Sequence, residues 1–243
     1  MNSANGIQRP RWLRKMTRGH SFPGLWINFE SGEGAGKDTQ INLLVEDLRA
    51  AGYLVETGRE PGTTPAGEQI RKVLQDPNLP PLNSKTEMLL YVAAGIEFFE
   101  HCVKPVLKDG KIYISNRWRW STDVYQGRGL GVDSNLIKSL TRFSCNGAYP
   151  DITYLLDIEA EKGLSKVTGN EFENYKHDKI EARGIAYHKK VNEGYREIAR
   201  ENPERFKVIP YFEGQPEAMR EQIKSHFYDF IRRHRLEETL VRG

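Results

Sequence analysis

From Leu25 onward, short apolar runs alternate with longer segments in which apolar positions recur every three or four residues. The runs Leu25–Phe29, Tyr53–Thr57, Lys111–Ser115, Ile152–Asp157 and Phe206–Ile209 are rich in β-branched and aromatic residues, as strands buried on both faces are. Helical spacing fills the intervals. It covers Lys37–Ala51, closed by Gly52, and Gly67–Gln75, which stops before Pro77. It continues over Ser84–Leu107, with a kink or division expected at Pro105, and over Asp133–Asn146, capped by Asp133. Ile180–Arg200 and Pro216–Arg235 complete the set. Strand–helix alternation of this kind predicts an α/β fold with three layers, a five-stranded parallel sheet between helices. The stretch Glu159–Arg183 breaks the pattern: it is polar, rich in Lys, Glu, Asn and Gly, and reads as a lid segment.

Composition narrows the class. A chain of 243 residues with 38% hydrophobic content suits a single domain with a sizeable core, here placed at residues 25–243. No uninterrupted apolar stretch reaches the length of a membrane span. Cys102 and Cys145 are too few for a disulfide framework or a four-ligand zinc site and suit a reducing, cytoplasmic setting. The net charge of +3 divides unevenly. Arg9, Arg11, Arg14, Lys15 and Arg18 stand in the first 29 residues without an acid. The other 31 basic residues face 33 acidic ones, so the body is mildly acidic. That is not the footprint of a nucleic-acid binder. Residues 1–24 read as a disordered basic extension whose removal is expected to leave activity intact.

The first strand carries the chemistry. Trp26-Ile-Asn-Phe-Glu30 runs into Ser31-Gly-Glu-Gly-Ala-Gly-Lys37 and then a helix, the context of a phosphate-binding loop. Gly32, Gly34, Ala35, Gly36 and the first helical residues Lys37, Asp38 and Thr39 supply amides and one ammonium group for phosphate oxygens. The loop departs from G-x-x-x-x-G-K-[ST] at both ends, with Ser31 for the first glycine and Asp38 for the hydroxyl.

Four further segments resemble one family. Arg59-Glu-Pro-Gly-Thr-Thr64 with Gly67, Glu68 and Arg71 resembles R-E-P-G-G-T-x-x-G-E-x-I-R, and Leu89-Leu-Tyr-Val-Ala-Ala94 resembles a base-stacking segment. Asn116-Arg117, Ser121 and Tyr125-Gln-Gly127 resemble D-R-[YFH]-x-x-S-x-x-A-Y-Q-G; Pro150–Asp157 resembles P-D-L-T-x-x-L-D. Spanning about residues 25–200 in order, they are similar to the bacterial thymidylate (dTMP) kinases, a P-loop nucleoside-monophosphate kinase family. The resemblance implies a P-loop kinase fold and transfer of the ATP γ-phosphoryl group to dTMP, with Mg²⁺ bridging phosphates. It implies Lys37 on the ATP phosphates, Arg117 between donor and acceptor, and Arg59, Pro61 and Arg71 on the acceptor side. Tyr91 would stack on the base, Gln126 read its polar edge, Tyr125 pack on the sugar, Glu33 meet the 3′-hydroxyl and Ser121 complete the acceptor site. Glycine at position 34 implies catalytic basic residues in the lid, among Lys162, Lys166, Lys176, Lys179 and Arg183, with Lys179 in the D-R-x-E-like Asp178-Lys-Ile-Glu181. The family's homodimer would pack near Ser84–Leu107, where Ile96, Phe98 and Phe99 suit either an interface or the core.

Three departures bear on mechanism. The family aspartate before Arg117 is Asn116, while Asp38 brings a carboxylate to the loop; the pair reads as an exchange in which Asp38 holds the metal with Asn116 as partner. The base-reading arginine four residues after the stacking aromatic is Gly95, and Arg119 is a possible substitute. Two alternatives to dTMP kinase therefore stand: a kinase of another nucleoside monophosphate, and a nucleotide-binding relative with little catalysis.

Overall fold

The structure is a computed structural model and describes residues 18–168, 180 and 183–243. Five parallel strands form one sheet: β1 (Leu25–Ser31), β2 (Val55–Arg59), β3 (Ile112–Asn116), β4 (Ile152–Asp157) and β5 (Phe206–Pro210), in the order β2-β3-β1-β4-β5. The chain passes to one side of β1 and then to the other, so the crevice beyond the carboxyl ends of β1 and β3 is the natural ligand site. Register brings Phe29, Asn116 and Arg59 level at that edge.

Alternation along β1 sets the two helical layers. Leu25, Ile27 and Phe29 face a core shared with α1 (Lys37–Ala50) and α9 (Pro216–Arg233), where Leu44, Leu48, Ile223 and Phe227 are all but fully buried. Each such side chain contributes about 1.5–3 kcal/mol. Trp26, Asn28 and Glu30 face the opposite layer. It holds α2 (Pro65–Gln75), α3 (Ser84–Phe98) with the short α4 (Lys104–Lys108), α5 (Arg119–Thr122), α6 (Ser134–Ser144) and α8 (Ile185–Glu201).

Several expected boundaries move. The second strand lies at Val55–Arg59 rather than Tyr53–Thr57, because Leu54 pairs outward to Ile112 and Val241 and the ladder with β3 begins at Val55. The long helix is interrupted just before Pro105: a π turn at Phe99–Val103 joins α3 to α4, and Pro105 sits in the first turn of α4. Arg119–Gly129, without an assignment from periodicity, is α5 followed by a second π turn.

Two larger corrections concern the lid and the tail. The first part of Glu159–Arg183 is a helix, α7 (Ala160–Thr168), whose polar face misled the apolar spacing. Residues 18–24 of the tail pack onto the body. The Arg18 guanidinium donates to both Asp151 oxygens at 3.0 and 3.1 Å, and His20 Nε2 lies 2.9 Å from Asp151 Oδ2. The backbone N–H of Trp26 donates to the same oxygen. A Cβ on Gly19 would stand 1.9 Å from the Tyr149 carbonyl oxygen, so only glycine lets the tail lie this close. Residues 1–17 lie outside the described residues.

Candidate active site

The loop after β1 wraps the start of α1. Gly34 and Gly36 hold φ of 70° and 74°, and the Gly36 cap has no side chain to occupy the helix amides, which stay available to an anion. The loop is pressed against α7: a Cβ on Gly34 would lie 2.2 Å from the Gly163 carbonyl oxygen, and one on Gly163 would lie 2.2 Å from that of Glu33. Both glycines are thus steric requirements, and no longer side chain fits at position 34.

Beyond this loop opens a cavity of about 630 Å³. Gly32–Thr39 line one end, Arg59, Pro61, Arg71, Tyr91, Ser121, Tyr125 and Gln126 the other, and Asn116 and Arg117 stand between; of the described basic residues expected in the lid, Lys162, Lys166 and Arg183 do not line it. Lys179 and Lys176 lie outside the described residues. Ser31, Glu60, Gln75, Val167 and Ile180 also line the cavity and were not nominated.

Arg117 is the centre. Its φ of 69° is left-handed, a conformation costing a non-glycine residue about 1–3 kcal/mol. Its backbone N–H donates to Phe29 O, and its guanidinium donates to Ser31 O at 2.9 Å, Tyr195 Oη at 3.2 Å and Glu33 Oε1 at 3.2 Å. Tyr125 donates its hydroxyl to Glu33 Oε1 at 2.6 Å. Burial alone would raise Glu33, yet Arg117, the Tyr125 hydroxyl and Lys37 outweigh it and hold the carboxyl below its ordinary range. Beneath lies Glu30, fully buried, accepting from Ser121 Oγ at 2.6 Å, Tyr195 Oη at 2.8 Å and the Trp118 backbone N–H at 2.9 Å.

Lys37 donates to Asn116 Oδ1, and Asn116 donates its amide to Asp38 Oδ1. Asp38 and Asn116 are therefore in direct contact, and the Asp38 side chain is 82% exposed. Burial and then Arg117 lower the Lys37 ammonium to about 8. Glu60 is buried with neither carboxylate oxygen hydrogen-bonded; burial and Glu30 push it up to about 8 against the pull of Arg71 and Arg117. It sits inside the quoted Arg59–Pro61 segment, where a lone acid among phosphate-binding arginines was the available signal. Tyr195 gave none: it is one aromatic on an ordinary amphipathic helix.

Other expectations are redirected. Arg59 lines the cavity but its guanidinium is held by both Glu68 oxygens at 2.9 Å, whereas Arg71, half-buried, donates to Pro61 O at 3.1 Å. Arg119 does not replace the missing arginine: it donates to Tyr149 Oη at 2.5 Å and stacks on that ring, away from the cavity. Behind Gly95 the space belongs to Trp118, whose ring would be 3.7 Å from a Cβ there. Lys162 and Lys166 turn to Glu213 and Tyr211, and Arg183 to Glu87, so none of these three reaches the phosphate loop. Phe98 and Phe99 are core, packed around Trp118 and Trp26.

A parallel sheet with a glycine loop, a loop lysine and a bridging arginine over one cavity defines a P-loop phosphotransferase of the nucleoside-monophosphate kinase kind. The family model described as "Thymidylate kinase" matches residues 29–223. Thymidylate kinase of Halothermothrix orenii is 36% identical over 210 residues, 86% of this chain and 97% of the relative. That of Bacillus velezensis is 39% identical over 188 residues, 76% and 87% of the two chains. The crystal structure of thymidylate kinase from Ehrlichia chaffeensis superposes with a TM-score of 0.68 at 29% identity, covering 84% of this chain and 98% of that one. The chain belongs to the thymidylate kinase family.

Proposed function

We infer that the chain transfers the γ-phosphoryl group of ATP to the 5′-phosphate of dTMP, giving dTDP and ADP. The observation that carries this is a cavity shared by a phosphate loop and an aromatic, amide-bearing acceptor end, with Arg117 between them. A phosphate oxygen of the acceptor attacks the γ-phosphorus while the bond to the departing ADP oxygen breaks. The attacking group is already an anion, so no side chain must remove a proton; catalysis is alignment and charge neutralisation. Lys37 and the loop amides hold the donor, Arg71 draws the acceptor phosphate, and Arg117 spans both. Glu33 and Tyr125 fix the Arg117 guanidinium.

Mg²⁺ fits this donor set. Among the described residues no group of three or more His, Cys, Asp and Glu side chains could hold a metal. Magnesium in such sites needs only one or two carboxylates beside phosphate oxygens. The exposed Asp38 carboxylate, braced by Asn116, would hold it. The ion would neutralise the bridged phosphates. Asn116 offers its oxygen to Lys37, which makes it a brace for Asp38 rather than a ligand.

Coupled ADP release with ATP, Mg²⁺ and dTMP, dUMP, dCMP or dGMP tests the reading: dTMP is expected to have the highest kcat/KM, and faster turnover of dCMP or dGMP would overturn it. In the same assay Asp38→Thr is expected to raise the Mg²⁺ requirement, and adding Asn116→Asp to restore it. A double variant no better than the single one removes the exchange.

A homodimer is the proposed assembly. The outward face of α2, α3 and α6 carries exposed Val73, Leu89, Leu136 and Phe143. No helix among the described residues is long and apolar enough to cross a membrane. A cytoplasmic setting is the proposed localisation, supported by the two free cysteines.

A further inference from the structure

The base end of the cavity contains a locked amide. Gln126, 1% exposed, donates Nε2 to Glu87 Oε1 at 2.9 Å. The other Glu87 oxygen accepts from Arg183 Nη2 at 2.6 Å, so both sides of this buried carboxylate are engaged as acceptors. Arg183 is itself held: it donates to Tyr187 Oη at 2.8 Å, and Tyr187 donates to the backbone carbonyl of Tyr125, the neighbour of Gln126. The four side chains and that one peptide group form a closed circuit.

We propose that Glu87, held by Arg183, sets the pyrimidine preference by fixing which way the Gln126 amide faces. A glutamine amide is a donor on one side and an acceptor on the other, whereas a carboxylate only accepts. Glu87 therefore takes the NH₂ group and leaves Oε1 as the atom offered to the cavity. An acceptor there pairs with a base whose ring N3 carries hydrogen, as in thymine and uracil. Cytosine presents a lone pair at N3, so two acceptors would face each other. With Gly95 in place of an arginine and Arg119 turned away, this orientation is the device in the described residues that distinguishes the two bases. Glu87 is a positioning residue: it acts through Gln126. The inference rests on Gln126 facing the base, and the controls separate the two.

Glu87→Gln is the direct test. Its side chain can offer either a donor or an acceptor, so the Gln126 amide can turn over. The ratio of kcat/KM for dTMP to that for dCMP is expected to fall by about tenfold or more, carried by KM, with dCMP gaining. A merely structural role would lower both acceptors alike and leave the ratio unchanged. Arg183→Met removes the anchor on the second Glu87 oxygen, so the carboxylate is free to swing away from Gln126 and the ratio is expected to shift in the same direction, whereas Arg183→Lys is expected to retain it. If Glu87→Gln does not fold, Arg183→Met carries the same test, because its side chain is partly exposed. Gln126→Leu is the control. A ratio unchanged in Gln126→Leu overturns base reading by Gln126, and the lock with it. A ratio changed there but unchanged in Glu87→Gln and Arg183→Met overturns the lock alone.

Discussion

Two titrating residues shape the site in the same direction at alkaline pH. The Lys37 ammonium, lowered to about 8 by burial and by Arg117, is charged below that pH and neutral above it. Glu60, raised to about 8 by burial and Glu30, is neutral below and anionic above, beside the arginines of the acceptor end. kcat/KM for ATP is therefore expected to fall above pH 8 as Lys37 loses its proton, and kcat/KM for dTMP to fall as Glu60 acquires charge near Arg71. Bound triphosphate draws the Lys37 proton back, so kcat at saturation stays level to higher pH. Steady-state profiles from pH 6 to 9.5 check this: Glu60→Gln is expected to remove the dTMP limb and keep the ATP limb. Flat profiles, or a dTMP limb that survives Glu60→Gln, would contradict it. The residues named from motif spacing meet in one cavity, since strand–loop–helix order dictates where side chains at the strand ends must lie. Glu87 and Tyr195 escaped notice because their significance lies in partners distant along the chain, and Arg183, counted among the lid's basic residues, proved to belong with Glu87; Glu60 stood in a quoted motif, but its burial is a property of the folded chain.

At the scale of elements, the strands were legible from apolar runs and α1, α2, α3, α6, α8 and α9 from helical spacing, whereas α5 and α7 were not. The helix α7 was hidden by its composition: Lys162 and Lys166 hold their ammonium groups over the Tyr211 ring, a contact that a count of apolar positions does not register. The segment Arg119–Gly129 was hidden by a different cause. Its π turn changes the periodicity on which helix recognition depends, and Tyr125 and Gln126 on that turn line the cavity. The helix α3 serves two tasks on opposite faces, with Tyr91 at the cavity and Leu89 exposed by 51%. If this face pairs two copies, light scattering should give twice the 27.9 kDa of one chain, and Leu89→Glu should shift the mass to one chain without altering Tyr91. A wild-type mass of 27.9 kDa at micromolar concentration would remove the dimer.

For the whole molecule, the boundary at Leu25 proved too late, because the tail's last residues neutralise a charge buried in the body. Asp151 would be raised by burial, but His20 and Arg18 hold it well below the ordinary carboxylate range. A depressed carboxylate adds stability above its unfolded value and loses it as pH falls through the folded one, so this clasp is intact at neutral pH and opens only in strong acid. Deleting residues 1–17 spares Arg18 and His20 and is expected to leave Tm and activity unchanged. Deleting residues 1–24 strips Arg18 and His20 from the buried Asp151 and is expected to cost about 3–5 kcal/mol, a fall of roughly 6–20 °C in Tm. Equal Tm for the two truncations would show the clasp to be dispensable. The sequence placed the tail outside the domain because its charge pattern is that of a solvated arm; the partner, Asp151, lies 133 residues further on. The central claim is that one cavity holds donor and acceptor phosphates with Arg117 between them. A ligand joining adenosine and thymidine through five phosphates tests it most directly, with inhibition measured against each substrate. The account requires one ligand per chain, competition with both ATP and dTMP, and a loss of about 1.5–3 kcal/mol of binding in Arg117→Ala as charged hydrogen bonds disappear. Competition with only one substrate, or binding indifferent to Arg117, would contradict it.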